Sequence, residues 1–172
     1  MKSLTLALAT VILLFISGCD NKSCKDTVCG TNQVCNGGVC YCRDGYEGTD
    51  CSQLSATKFL TKNGMTNYQW TVSENCQNGG GGSTYYTSFQ STGSSNVSEL
   101  VLNNFLNQYT ITGYVRGAAD GSGNTIEFPN QQLGGSGTIY GMGTYDINNN
   151  RITVNFEYSL YGENKACTHT FY

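Results

Sequence analysis

The stretch Arg151-Ile152-Thr153-Val154-Asn155-Phe156-Glu157-Tyr158-Ser159-Leu160 decides the fold. Ile152, Val154, Phe156, Tyr158 and Leu160 alternate with Arg151, Thr153, Asn155, Glu157 and Ser159. Successive side chains of a strand point to opposite faces, so the alternation describes an amphipathic strand with one buried face. Asn148-Asn149-Asn150 precedes it as a turn, because Asn tolerates left-handed φ. Upstream, Ile139, Gly141, Gly143, Tyr145 and Ile147 alternate with Thr138, Tyr140, Met142, Thr144 and Asp146. The two runs and their turn read as a long β-hairpin.

Outward from the hairpin, the same periodicity predicts strands at Gln69–Glu74, Thr84–Ser91, Glu99–Leu102, Tyr109–Arg116, Thr125–Phe128 and Cys167–Phe171. Gln77 to Ser83 and Ala119 to Asn124 are turns between them, and Leu100 to Leu106 is the one candidate for a short helix. The expectation for residues 68–172 is an antiparallel barrel or sandwich of about eight strands. Cys76 follows the first strand and Cys167 opens the last, so their pairing, Cys76–Cys167, would tie the two ends of the sheet together. Gly141 and Gly143 make room on one face, either for a ligand or for bulky Tyr and Phe opposite.

Ser52 to Asn67 is polar and weakly patterned and reads as a connector, residues 52–67. Before it, six cysteines fall as Cys24-x4-Cys29-x5-Cys35-x4-Cys40-x-Cys42-x8-Cys51, and the last loop runs Cys42-Arg43-Asp44-Gly45-Tyr46-Glu47-Gly48-Thr49-Asp50-Cys51. Six cysteines allow many connectivities, and spacing alone selects none. The pattern and its C-x-C-x-x-G-aromatic ending resemble an EGF-like module over residues 24–51. That resemblance implies the pairs Cys24–Cys35, Cys29–Cys40 and Cys42–Cys51. A segment this short buries too little apolar surface to offset its ordering entropy, so bridges must hold it. Zinc is not expected: Cys40-x-Cys42 lacks the usual two-residue gap and no His lies near. Calcium-binding members of the family place oxygen ligands before the first cysteine. Here Asp20-Asn21-Lys22-Ser23 puts a lysine in that shell, against calcium.

Lys2 is followed by the uncharged apolar run Leu4 to Ile16 and the small residues Ser17 and Gly18, a secretory signal layout over residues 1–18. Ile16-Ser17-Gly18-Cys19 resembles the lipobox of bacterial lipoproteins. The resemblance implies cleavage before Cys19, a lipid on its sulfur, and residues 19–23 as lipidated N-terminus and spacer. The chain has nine cysteines, an odd number that exported proteins avoid, and setting Cys19 aside leaves eight to pair. The implied location is the bacterial cell envelope, lipid-anchored, at the outer membrane on its periplasmic or surface face.

Charged residues make up only 12% of the chain, and loss of Lys2 with the signal takes the formal net charge from −3 to about −4. No basic stripe or tail is present, so nucleic acid is not an expected partner. The only histidine, His169, falls on the alternating terminal strand with Cys167 and Phe171 on its face, the position of a structural residue. Glu74, Asp120, Glu127, Asp146, Glu157 and Glu163 form no motif, and Gly79-Gly80-Gly81-Gly82-Ser83 lacks the Lys and helix of a phosphate loop. No catalytic residue, metal or cofactor is therefore predicted. Trp70-Thr71-Val72, the Cys76 and Cys167 pair, and the glycine-rich stretch Gly134 to Gly143 resemble the small lipocalin-like β domains of bacterial outer-membrane lipoproteins. The expected function is non-enzymatic contact with an extracellular protein or glycan from a membrane anchor. The alternative that the resemblance implies is carriage of a small apolar ligand inside the barrel.

Overall fold

A computed structural model describes residues 24–77, 82–118 and 121–172. Cys19 and the signal lie outside the described residues, as do Asp120 and most of the Gly79–Gly82 run. A short 3-10 turn, Cys24–Asp26, leads into the hairpin of β1 (Gln33–Asn36) and β2 (Val39–Cys42). Next come β3 (Tyr46–Glu47) paired with β4 (Gln53–Leu54), the helical turn α1 (Thr57–Leu60), and the small hairpin of β5 (Thr61–Lys62) and β6 (Met65–Thr66). Disulfides join Cys24 to Cys35, Cys29 to Cys40 and Cys42 to Cys51.

The remaining strands are β7 (Gln69–Cys76), β8 (Thr84–Ser91), β9 (Glu99–Phe105), β10 (Tyr109–Arg116), β11 (Thr125–Leu133), β12 (Gly137–Asp146), β13 (Arg151–Leu160) and β14 (Glu163–Phe171). Each pairs antiparallel with the next, and β14 returns to pair with β7, which closes an eight-stranded barrel. Between barrel and sandwich, the structure is a barrel. Full closure leaves no unpaired edge. The closing register sets Cys167 opposite Cys76, and a disulfide joins them. Strand limits differ from the periodicity at four places: β7 runs past Glu74 to Cys76, β14 begins at Glu163 rather than Cys167, and β9 and β11 run longer. β9 runs on to Phe105, so Leu100–Leu106 is strand and turn rather than helix. β11 continues past Phe128 to Leu133 through an irregularity at Pro129 and Asn130, where the register against β12 shifts. A proline donates no ladder hydrogen bond and is tolerated at such a bulge.

Side chains fill the barrel. Trp70, Phe89, Phe105, Phe128, Phe156 and Phe171 are each fully buried inside it. Phe156 lies 4.9 Å from both Phe105 and Phe128, ring centre to ring centre. The glycines of β12 are the counterpart of these rings. A Cβ on Gly141 would stand 2.4 Å from Phe156, and one on Gly143 would stand 2.6 Å from Val154. The space they leave is taken by protein, which decides between the two readings of those positions. Gly113 on β10 does the same for Phe128. Alternating large and absent side chains is how a narrow barrel reaches interior packing density.

Residues 52–67 are more than a connector. Ala56 and Phe59 are buried in the core cluster, and Phe59 packs edge-on against Phe89 at 5.9 Å and beside Tyr145 at 5.8 Å. The segment thus stoppers one end of the barrel. Nor does the cysteine-rich module hang free. Gly45 N–H donates to the Val115 carbonyl at 3.0 Å, Gly48 N–H donates to the Gly121 carbonyl at 2.8 Å, and Gly117 N–H donates to Asp44 Oδ1 at 2.9 Å. Lys58 Nζ donates to the Ser122 carbonyl and Asn124 Oδ1 and pairs with Glu47. A Cβ at Gly117 would stand 2.0 Å from the Cys42 carbonyl oxygen, so only glycine permits this approach. No helix among the described residues is long and apolar enough to cross a membrane.

Candidate functional site

Two places on the barrel gather chemistry. The first is inside, at the end opposite α1. Trp70, Val72, Glu74 and Cys76 occupy every second position of β7, so its inward face ends in a carboxylate and a sulfur. β13 contributes Tyr158 from the same face as Phe156, β14 contributes His169 beside Cys167, and β8 contributes Tyr85. Register brings them together, because His169 is the partner of Glu74 across the closing seam. The Tyr158 hydroxyl donates to Glu74 Oε1 at 2.6 Å, and the Tyr85 hydroxyl lies 3.0 Å from His169 Nδ1. Burial holds both phenols well above the ordinary tyrosine range.

His169 is fully buried, stacked on Phe105 at 5.1 Å and met edge-on by Phe156. Desolvation lowers its pKa to about 4, because a cation is poorly solvated among phenylalanines. Its Nε2 is 3.7 Å from Glu74 Oε1 and makes no hydrogen bond. Distance alone would make this an ion pair, but a neutral imidazole at pH 7 makes it a contact between a ring and a carboxylate. The bridge sulfur of Cys76, 3.3 Å from Glu74 Oε1, carries no hydrogen and donates nothing.

This burial has a pH signature. The folded state refuses a proton that the unfolded chain accepts at the ordinary value of 6.5. The contribution is therefore present in full above about 6.5 and is lost as pH falls toward about 4, where unfolding takes up the proton. The whole difference is about 3 kcal/mol at most. Urea midpoints at pH 7 and pH 4 are expected to separate more for the native chain than for His169→Gln, whose side chain cannot titrate. Equal pH dependence of the two proteins would contradict a neutral buried imidazole.

The second place is outside. The outward residues of five neighbouring strands line an open groove of about 1120 Å³. Register sets Glu127, Met142, Asn155, Thr168 and Asn75 side by side from β11 to β7. Beside that row runs a second one of hydroxyls: Thr125, Thr144, Thr153, Thr170, Ser73 and Thr84. Adjacent members of a row repeat at the strand spacing of about 4.8 Å. Tyr140 and Met142 stand out from β12, 48% and 55% exposed. The Tyr140 hydroxyl donates to Glu157, its cross-strand partner, and this bond raises the phenol's pKa. Arg116 Nε neutralises Glu127 at 2.7 Å, and Thr168 Oγ1 donates to Asn155 Oδ1 at 2.8 Å. The floor therefore presents amides, hydroxyls, one phenol ring, a thioether and one carboxylate, Glu157, that a neutral phenol caps. A smaller recess of about 340 Å³, with Thr138, Ser159 and Asn164, continues it toward the end that holds Cys76.

The structure thus joins Glu74 and His169, which the sequence left apart, and sets Glu127 and Glu157 on one outer face without pairing them. The role of Glu74 was missed, although its place between Val72 and Cys76 on an apolar face was a readable signal. No protein-family model, curated protein or solved structure matches this chain.

Proposed function

We propose that this chain is a non-enzymatic contact module of the bacterial cell envelope, anchored through lipid on Cys19, whose outer groove receives a neutral glycan. One observation carries the reading: the barrel spends its interior on its own aromatic side chains and turns outward a polar groove in which Glu127 is paired with Arg116 and Glu157 is the one remaining carboxylate. Contact is favoured over carriage on that ground, since a carrier needs room inside the barrel. Rows of amides and hydroxyls at strand spacing offer donors and acceptors to a hydroxyl-rich chain, and Tyr140 offers a ring face for stacking.

The test is calorimetric titration of the purified chain with cellohexaose, chitohexaose and laminarihexaose. Binding of at least one is expected, weakened about tenfold, or about 1.4 kcal/mol, by Tyr140→Ala or Asn155→Ala. Tyr86→Ala, on the exposed face of β8 away from the groove, is expected to change nothing. Affinity for all three that is absent, or indifferent to both groove variants, would remove the glycan reading.

A further inference from the structure

We infer that the Cys76–Cys167 end of the barrel is a latent site for a borderline-soft divalent cation such as Zn2+, built from two cysteines, a histidine and a glutamate and opened when a dithiol reduces that bridge. The inference stands apart from the groove and does not depend on it. Four potential ligand atoms converge there. One ligand atom each of Glu74, His169 and Cys167 lies within 4.8 Å of the others, His169 Nε2 is 3.7 Å from Glu74 Oε1, and Cys76 Sγ is 3.3 Å from that oxygen. In the oxidised chain both sulfurs are bonded to each other, so only a carboxylate and an imidazole remain to bind metal. Two ligands make no structural zinc site, which needs four.

His169 is the second, independent indication. Its Nε2 is completely buried, without a hydrogen-bond partner, and faces Glu74 and the bridge. A buried nitrogen left this way is costly, and native proteins keep few such groups that no ion, water or redox role accounts for. The surrounding shell already has the form that metal sites use. Coordination at Nε2 selects the tautomer with hydrogen on Nδ1, and the Tyr85 oxygen stands 3.0 Å away to accept that hydrogen. Tyr158 likewise orients the carboxylate by donating to Glu74 Oε1 at 2.6 Å. The site is at the rim rather than mid-barrel, as the slight exposure of Glu74, Cys76 and Tyr158 shows, so a cation has a short way in.

The step balances. A dithiol gives two electrons and two protons to the bridge, becoming a cyclic disulfide, and leaves two cysteine thiols. The cation then displaces both thiol protons to solvent and is held by two thiolates, one carboxylate and one neutral imidazole. Tetrahedral coordination with Zn–S near 2.3 Å sets the sulfurs roughly 3.8 Å apart, a small opening of the seam between adjacent strands.

The full chain is folded oxidised, reduced anaerobically with dithiothreitol, freed of reductant and titrated with Co2+. One equivalent is expected to bind with sulfur-to-cobalt charge transfer and tetrahedral visible bands, while the oxidised chain gives neither. X-ray absorption of the Zn2+ form is expected to show two sulfur and two lighter neighbours. A shell of sulfur alone would assign the metal to the module's own cysteines and overturn the site. Glu74→Gln, His169→Gln and Tyr85→Phe keep the bridge during folding and are checked oxidised. Each is expected to weaken Co2+ binding at least tenfold, as loss of a ligand or its orienting partner does. Unchanged affinity in all three, an equal signal from Cys76→Ser/Cys167→Ser, or no metal uptake by the reduced chain would each overturn it.

Discussion

Phe59→Ala is expected to lower the unfolding free energy by about 3–5 kcal/mol, the range for deleting a fully buried phenyl ring from a core. The ring belongs to a one-turn helix outside the barrel wall, yet none of it is exposed, and it contacts Phe89 and Tyr145 at 5.9 and 5.8 Å. Alanine would leave a cavity at the barrel mouth bounded by strands that cannot collapse, because all eight are tied into a closed ladder. The size of the loss is what separates a stopper from a connector. Surface connectors tolerate truncation within about 0.5 kcal/mol. Urea unfolding of the oxidised chain, followed by tryptophan fluorescence of buried Trp70, measures it. A loss below about 1 kcal/mol would mean that the segment lies on the barrel without sealing it. Lys58, next to Phe59 in sequence, bonds the Ser122 carbonyl, Asn124 and Glu47, so Lys58→Ala serves as a control for the polar part of the contact.

Replacing Cys76 and Cys167 together by serine is expected to cost about 4.6 kcal/mol in the chain-entropy account. The bridge spans 91 residues of sequence and clamps the seam where β14 meets β7. That seam is the longest-range pairing in the barrel, so its closure carries the largest loop entropy once the covalent tie is gone. For a domain of this size the loss corresponds to roughly 10–20 °C in the unfolding midpoint. Buried serines beside Glu74 would add to it. Differential scanning calorimetry of the variant tests the magnitude, and a drop under about 3 °C would show that β7 and β14 hold together by packing alone. The three module bridges close loops of only 9 to 11 residues and should each contribute less by the same account.

Legibility followed locality. Arg151–Leu160 and its partner hairpin were readable because period two is a property of consecutive residues. Extension of β11 past Phe128 was hidden by Pro129, which reads as a strand end in one dimension but sits at an irregularity in the ladder. Phe59 was hidden differently. The apolar pair Phe59-Leu60 between Lys58 and Thr61 is too short to show a period, and the burial of Phe59 depends on a barrel mouth that consecutive residues do not describe. Docking of the module through Gly45, Gly48 and Gly117 had no sequence signal, because a loop glycine does not show which distant backbone it will meet.

Sequence alone determined where the strands lie, to within a few residues at their ends, and which faces turn inward, since both follow from alternation. Tertiary structure alone decided what those faces enclose. Whether eight strands close, and that Glu74 thereby faces His169, depend on register between segments about ninety residues apart, which is set by packing rather than by any local pattern. The groove has the same origin: Met142, Asn155, Thr168 and Asn75 become neighbours only when four strands align.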